Sequence, residues 1–205
     1  EVREALALAE SAGIRTIMIT GDNELTAKAI GFQIGLAKEE DEIITGKEFA
    51  QLGDDEARKR LSSIRIFART TPDQKLRIVR LLQKMGHVVA VTGDGVNDAL
   101  ALKQANVGVA MGITGTDVAK EASNMIITDD NYATLVTAIE EGRTIFENIK
   151  SATKYLVGCN VGELMALVIG MILGWPVILS PLQLLYVNFV TDGLPAMALA
   201  VAPKH

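Results

Sequence analysis

The stretch VTGDGVNDALAL, Val91 to Leu102, decides how the soluble part of the chain is read. An apolar run, Val88 to Val91, feeds into Thr92-Gly93-Asp94-Gly95, and Asp98 follows four residues after Asp94. Glycines on both sides of Asp94 let the backbone turn sharply or approach a ligand. Two carboxylates at this spacing suit a metal ion, and they equally suit a polar turn between a strand and a helix. The flanking sequence bears on the choice.

On the N-terminal side the chain alternates between two periodicities. IRTIMIT (14–20) is short, β-branched and mostly apolar, and predicts a buried strand; ELTAKAIGFQIGL predicts a helix. Residues 37–62 are charged and irregular, with TGKEFAQLGDDEARKRL expected as one surface helix. IRIFAR (64–69) predicts a strand. TPDQKLRIVRLLQKMG predicts a helix with Pro72 in its first turn and Gly86 closing it. HVVAVTG then reads as a strand, NDALALKQA as a helix and VGVAM as a strand. TDVAKEAS reads as a helix capped by Thr or Asp, and MIIT as a strand. This alternation implies an α/β fold, a mostly parallel sheet with helices on both faces. Ligands of such sheets sit at the carboxyl ends of the strands.

Two of the expected strands end in the same tripeptide, Thr20-Gly21-Asp22 and Thr92-Gly93-Asp94. Each places a hydroxyl, a bare backbone and a carboxylate where a strand stops, and in a parallel sheet both converge on one edge. Asp94 and Asp98 suit a hard cation, and Asn97 suits a phosphate. Magnesium is bound by few carboxylates together with water and phosphate oxygens. Lys75, one turn into the helix that starts at Pro72, is placed to neutralise phosphate charge. Taken singly these residues are ordinary. A Gly-Asp-Gly is most often a turn, a first-turn Lys is most often solvated, and Arg69 equally suits a structural ion pair.

The chain has 205 residues and a formal net charge of -5, which argues against a nucleic-acid partner. Its single cysteine, Cys159, excludes an intrachain disulfide and reads as a small packing residue. There is no signal-peptide pattern: the chain opens inside an amphipathic helix, EVREALALAESAG, and without a Met, as expected of a piece of a longer protein. The charge is unevenly spread. From Tyr155 to Pro203 the only charged residues are Glu163 and Asp192.

A helix is expected from about Tyr132 through Lys154 into YLVGCNVGELMALVIGMILGW, long enough to cross a bilayer. PVILSP makes a turn, and LQLLYVNFVTDGLPAMALAVA is a second span. The resulting division is a soluble domain at 1–130, a stalk helix at 131–154 and spans at 155–174 and 182–202. Lys150, Lys154 and Lys204 lie at the outer ends of the spans and place those ends, with the soluble domain, on the cytoplasmic side. A very apolar soluble hairpin is the alternative. Asn160 and Glu163 share one helix face, as do Asn188, Thr191 and Asp192. All five offer oxygen, which points to a hard cation. Interhelical hydrogen bonding is the competing role for the Asn and Thr side chains. Gly193 and Pro195 should loosen the second helix and free backbone carbonyls.

MITGDN, FARTTPDQK, VTGDGVNDA and MGITGTDVAKEAS together resemble the phosphorylation domain of P-type cation-transporting ATPases, a branch of the haloacid dehalogenase-like fold. The resemblance covers essentially the whole chain. It implies ATP as substrate and Mg2+ held by Asp94 and Asp98, with Asp94 closest to the phosphorylated group. It implies that Lys75 contacts the acyl-phosphate and that Thr20, Gly21 and Asp22 surround phosphate and nucleotide, supported by Arg69 and Asn97. Leu100 stands where the family usually has proline. The family's nucleophilic aspartate lies in a D-K-T-G-T motif that is absent from these residues, as is the actuator's T-G-E-S loop. The isolated piece is therefore expected to be inactive. Its expected partners are the lipid bilayer and the remainder of a pump: nucleotide-binding domain, actuator domain and other spans.

NVGE and VNFVTDG are similar to the fifth and sixth spans of calcium pumps of the sarco/endoplasmic-reticulum type. That similarity implies Ca2+ as the transported ion. Asn160 and Glu163 would contribute to one site and Asn188 to a second, with Thr191 helping the first and Asp192 bridging both. Export of manganese, sodium or protons stays open. So do a soluble phosphatase with an accessory anchor and a truncated, non-catalytic protein that binds intact pumps. The long helix joining the two parts is expected to act as a lever, which Gly142 and Gly158 could soften.

Overall fold

The computed structural model describes residues 1–176 and 179–203. Lys204, expected beyond the second span, lies outside the described residues, as do Val177 and Ile178 of the expected turn. The elements in chain order are α1 (Val2–Ser11), β1 (Met18–Ile19), α2 (Glu24–Gln33), β2 (Glu42–Thr45), α3 (Gly46–Gln51), α4 (Asp54–Leu61), β3 (Ile64–Ala68) and α5 (Pro72–Lys84). Then come β4 (Ala90–Gly93), a 3-10 turn (Val96–Asp98), α6 (Ala99–Gln104), β5 (Val107–Met111), α7 (Asp117–Ala122) and β6 (Met125–Ile127). The last are α8 (Tyr132–Ile172), α9 (Pro181–Val187), a π-helical segment (Asn188–Gly193) and α10 (Leu194–Ala200).

The α/β alternation predicted from the sequence is present, and all strand pairs are parallel. The strands form two three-stranded sheets, β1-β3-β2 and β4-β5-β6, where one continuous sheet was expected. β1 and β4, the two strands that lead into Thr-Gly-Asp turns, are therefore both edge strands. In the first sheet Met18 lies opposite Ile66 and Ile19 opposite Phe67. In the second, Ala90 through Gly93 lie opposite Val107 through Ala110.

Helix α5 joins the halves because two of its faces are apolar. Ile78 and Leu81 enter a core with Ile44, Phe49, Leu61, Ile64 and Phe67, all essentially inaccessible to water. Phe49 meets Phe67 edge to face at 5.2 Å. Val79, one residue from Ile78, instead packs with Val89 and Ala101 beside the second sheet. Each such fully buried aliphatic or aromatic side chain contributes roughly 1.5–3 kcal/mol, so α5 is held from both sides. A capping box of Thr71 and Gln74, with Pro72 at the first helical position, fixes where it starts.

The single helix expected over TGKEFAQLGDDEARKRL is two. Thr45 and Glu48 form a capping box on α3, Leu52 turns to extended backbone, and α4 restarts after Gly53. Arg77 of α5 bridges the break. It donates to Phe49 O at 3.1 Å, to Leu52 O at 2.6 Å and to the Asp54 carboxylate. Just before it, β2 was not anticipated from its charged surroundings; it pairs with β3 along Glu42–Thr45.

The chain divides into two compact units, Glu1–Val136 and Thr137–His205. α8 is a 41-residue helix, unbroken at Gly142 and Gly158, and about 60 Å long at 1.5 Å per residue. Among the described residues it is the one helix long and apolar enough to cross a membrane. The second expected span is helical from Pro181 to Ala200, with the π-helical segment in its middle. Its cause is Pro195, which has no N–H to give to Thr191 O four residues earlier. That carbonyl accepts instead from the Tyr155 hydroxyl of α8.

Candidate functional site

In the first unit the end of β1 is held by backbone contacts to the β3–α5 connection. Thr70 N and Thr70 Oγ1 both donate to Thr20 O, at 3.0 and 2.9 Å. Arg69 N donates to Asp22 O at 2.8 Å. Arg69 adopts φ +50, a left-handed backbone uncommon outside glycine, and leaves its side chain exposed. Within the turn, Thr20 Oγ1 donates to Asp22 Oδ2 at 3.0 Å and accepts from Asp22 N at 3.1 Å. Gly21 and Asp22 are exposed. A cavity of about 560 Å³ beside them is lined by Asn23, Glu24, Leu25, Thr45, Lys47 and Arg69. Its two cations, Lys47 and Arg69, outnumber its one carboxylate, Glu24, which suits a polar, anionic ligand.

At the end of β4 the same tripeptide is built differently. Asp98, buried at 8% exposure, lies in the 3-10 turn. Lys75 of α5 donates to its Oδ1 at 2.6 Å, and Gly95 N donates to its Oδ2 at 3.2 Å. A Cβ at Gly93 would fall 2.5 Å from Asp98 Cβ, so glycine is what lets Asp98 fold back over the turn. Asp94 has its carbonyl fixed by Thr116 N at 2.8 Å. Its carboxylate is exposed and makes no hydrogen bond or ion pair among the described residues. Asn97 sits in the 3-10 turn and is exposed.

Thr70, Lys75 and Asp98 link the two Thr-Gly-Asp turns through the start of α5. Lys75 and Asp98 were candidates from sequence, but their ion pair was not foreseen. Thr70 was missed; its signal was the second hydroxyl in the run Thr70-Thr71 before Pro72. Among the described residues no three His, Cys, Asp or Glu side chains gather as a metal cluster. The oxygen groups of Asp94 and Asp98 still fit a magnesium ion in kind, since such ions take few protein ligands and otherwise water and phosphate.

In the second unit Asp192 is buried at 5% exposure within the π-helical segment. Thr191 Oγ1 donates to Val187 O at 2.6 Å and to Asp192 Oδ1 at 3.2 Å. The amide of Asn188, oriented by its network, donates to both Glu163 carboxylate oxygens at 3.0 Å. Glu163 of α8 and Asn188 are thus in direct contact. Asn160 is turned back on its own helix, donating to Leu156 O at 2.7 Å. The Thr191 carbonyl that Pro195 leaves without an N–H is taken by the Tyr155 hydroxyl, so the oxygen ligands gathered here are the side chains of Glu163, Asn188, Thr191 and Asp192.

Residues 1–106 match the family model of haloacid dehalogenase-like hydrolases, and residues 176–205 match the model described as cation transporting ATPase, C-terminus. A calcium-transporting ATPase of Bacillus subtilis (strain 168) is 51% identical over 201 residues, which are 98% of this chain and 23% of that protein. The endoplasmic reticulum calcium ATPase srcA of Aspergillus fumigatus is 50% identical over 207 residues, 99% of this chain and 21% of the relative. The chain thus spans under a quarter of the length of these curated relatives. Among solved structures, a zinc-transporting PIB-type ATPase in its E2.Pi state superposes with a TM-score of 0.68 at 25% identity, covering 97% of this chain and 26% of that one.

Proposed function

The chain belongs to the haloacid dehalogenase-like hydrolase family, and on that premise we propose that it is part of an ATP-driven calcium pump that works through an aspartyl-phosphate. The observation that carries this is the Lys75–Asp98 pair at 2.6 Å, which ties the start of α5 to the turn after β4. Together with the Thr70–Thr20 bonds it gathers a lysine, a free carboxylate and two glycine-backed turns for phosphoryl transfer. The identity to calcium-transporting ATPases supports the choice of pump and of ion.

In this mechanism Lys75, held by Asp98, neutralises charge on the transferred phosphoryl group. Asp94, unpaired and exposed, lies nearest to it. Thr20, Gly21 and Asp22 surround the phosphate and nucleotide, with Arg69 and Asn97 in support. Magnesium, when bound at Asp94 and Asp98, would neutralise phosphoryl oxygens. The nucleophilic aspartate belongs on a strand outside this chain. β1 and β4 are both edge strands and both end at the site, so a further parallel strand beside them would bring its carboxyl end to Asp94. In the membrane, Glu163, Asn188, Thr191 and Asp192 hold the calcium ion, with Asn160 added by a rotamer change. The soluble unit and both ends of the hairpin face the cytoplasm, as Lys150 and Lys154 indicate. α8 is the lever between phosphorylation and ion release.

The test is ATP hydrolysis by the full-length protein. Hydrolysis should depend on calcium, and Glu163→Gln or Asp192→Asn should abolish that dependence, because each removes a carboxylate that hydrocarbon would otherwise neutralise or exclude. Hydrolysis indifferent to calcium in the unaltered protein would sink the assignment.

A further inference from the structure

Asp130 has no part in the chemistry above, yet it is one of the most heavily bonded side chains in the first unit. It sits between β6 and α8 at φ +52, a left-handed conformation that costs a non-glycine residue of order 1 kcal/mol. Its carboxylate crosses to the loop after β5. Oδ1 accepts from Ile113 N at 3.0 Å, and Oδ2 accepts from Thr114 N and Thr114 Oγ1, both at 2.7 Å.

The residues on either side of Asp130 act on the helix instead. Asp129 accepts from Thr134 Oγ1 at 2.6 Å and from Asn131 N at 3.1 Å, and Asn131 accepts from Ala133 N at 2.9 Å. These bonds close the first turn of α8. Tyr132 and Val136 then seat that turn against Ala5 and Ala9 of α1. Three consecutive residues are therefore split between two tasks, with Asp129 and Asn131 on the helix and Asp130 on the loop.

The loop itself has little freedom. Gly112 N donates to Ile127 O at 2.7 Å. A Cβ at Gly115 would lie 1.9 Å from Met111 O, so no other residue fits there without moving backbone. Its far end is Thr116, which caps α7 and whose N–H holds the Asp94 carbonyl at 2.8 Å. A short chain of bonds thus runs from the backbone of Asp94 through Thr116, the loop and Asp130 to the first turn of α8.

We propose that Asp130 is a positioning residue, the pin that makes the backbone of Asp94 and the first turn of α8 move as one body. Partial burial pushes its carboxyl upward, but the hydrogen bonds from Ile113 and Thr114 outweigh this and hold it at about 2. It is an anion throughout the physiological range, so the pin does not switch with pH. Asparagine is no substitute, because its NH2 would face an N–H donor.

For its effect on transport the inference rests on the pump assignment, and the experiment separates the two. Full-length protein is placed in sealed vesicles as wild type, Asp130→Asn and Asp130→Gly. Glycine accepts the left-handed backbone, so it removes the carboxylate without strain. Both variants should lose about fivefold or more in calcium taken up per ATP hydrolysed, the scale of a broken coupling of 1–3 kcal/mol. Hydrolysis itself should stay close to wild type. Hydrogen exchange at the amides of Ile113 and Thr114, read in the same proteins, should quicken about tenfold on loss of their acceptor. Unchanged exchange overturns the pin, and so does a proportional fall in uptake and hydrolysis, which is what simple destabilisation gives. A wild-type protein without calcium-dependent hydrolysis defeats the pump assignment and the transport arm with it. The exchange arm still decides whether Asp130 holds the loop.

Discussion

The two Thr-Gly-Asp turns share a sequence and a backbone anchor but not a side-chain fate. In each, the Asp carbonyl is held by an N–H from elsewhere at 2.8 Å, Arg69 for Asp22 and Thr116 for Asp94. Beyond that they part. Asp22 is closed on itself by Thr20, and Asn23 behind it caps α2 by accepting from Thr26 N at 2.9 Å. Asp94 is left open, because four residues later Asp98 takes both the Gly95 N–H and Lys75. A motif therefore sets where the backbone goes, and the residues that follow decide which carboxylate stays available for chemistry.

Opening or closing these carboxylates should produce unequal losses. Asp94→Asn is expected to cut phosphoenzyme formation by the full-length protein about 10²–10³-fold, the scale for removing one preorganised charged group at a transferring centre. Asp22→Asn, which keeps an oxygen to accept from Thr20, should cost less than about tenfold on the same scale. Equal losses would mean that the turns are equivalent and that the difference in pairing is incidental. The next effect is on folding. Lys75→Ala leaves Asp98 buried with half its partners, a cost of about 1–3 kcal/mol in unfolding measurements. Adding Asp98→Asn to Lys75→Ala should cost less than the sum of the two single changes. Strict additivity would show that the 2.6 Å contact contributes nothing.

What could be read in advance follows the range of the interactions. The β-branched runs IRIFAR and VGVAM declare β3 and β5 because burial on both faces of a parallel sheet demands them. Strand order was not readable, since it depends on pairings such as Glu42–Ile64 across charged sequence that hides β2. The break at Leu52 was invisible because Arg77, the side chain that makes it tolerable, lies 25 residues further on. A loosening of the second span was legible, since Gly193 and Pro195 weaken a helix locally wherever they occur, but not its form as a π-helical segment over Asn188–Gly193. In the site, Lys75 and Asp98 could be named from their types and spacing. Their contact could not, nor could the bonds of Asp130 to a loop 16 and 17 residues back.

The smallest expected effect tests the closed turn most directly. Thr20→Val keeps the size and β-branching of the side chain and removes the oxygen that bridges Asp22 N and Asp22 Oδ2. The bonds from Thr70 N and Thr70 Oγ1 to Thr20 O do not involve that oxygen and survive. Because Asp22 is exposed, water replaces the lost partner, and unfolding should change by no more than about 0.5–1.5 kcal/mol. Phosphoenzyme formation distinguishes what that hydroxyl is for. If it only closes the turn, phosphorylation follows the small change in stability. If it turns outward to the phosphate when nucleotide binds, phosphorylation falls well beyond it while Thr20→Ser stays near wild type. The first turn would then be closed only at rest, and the contrast with Asp94 would be one of state and not of kind.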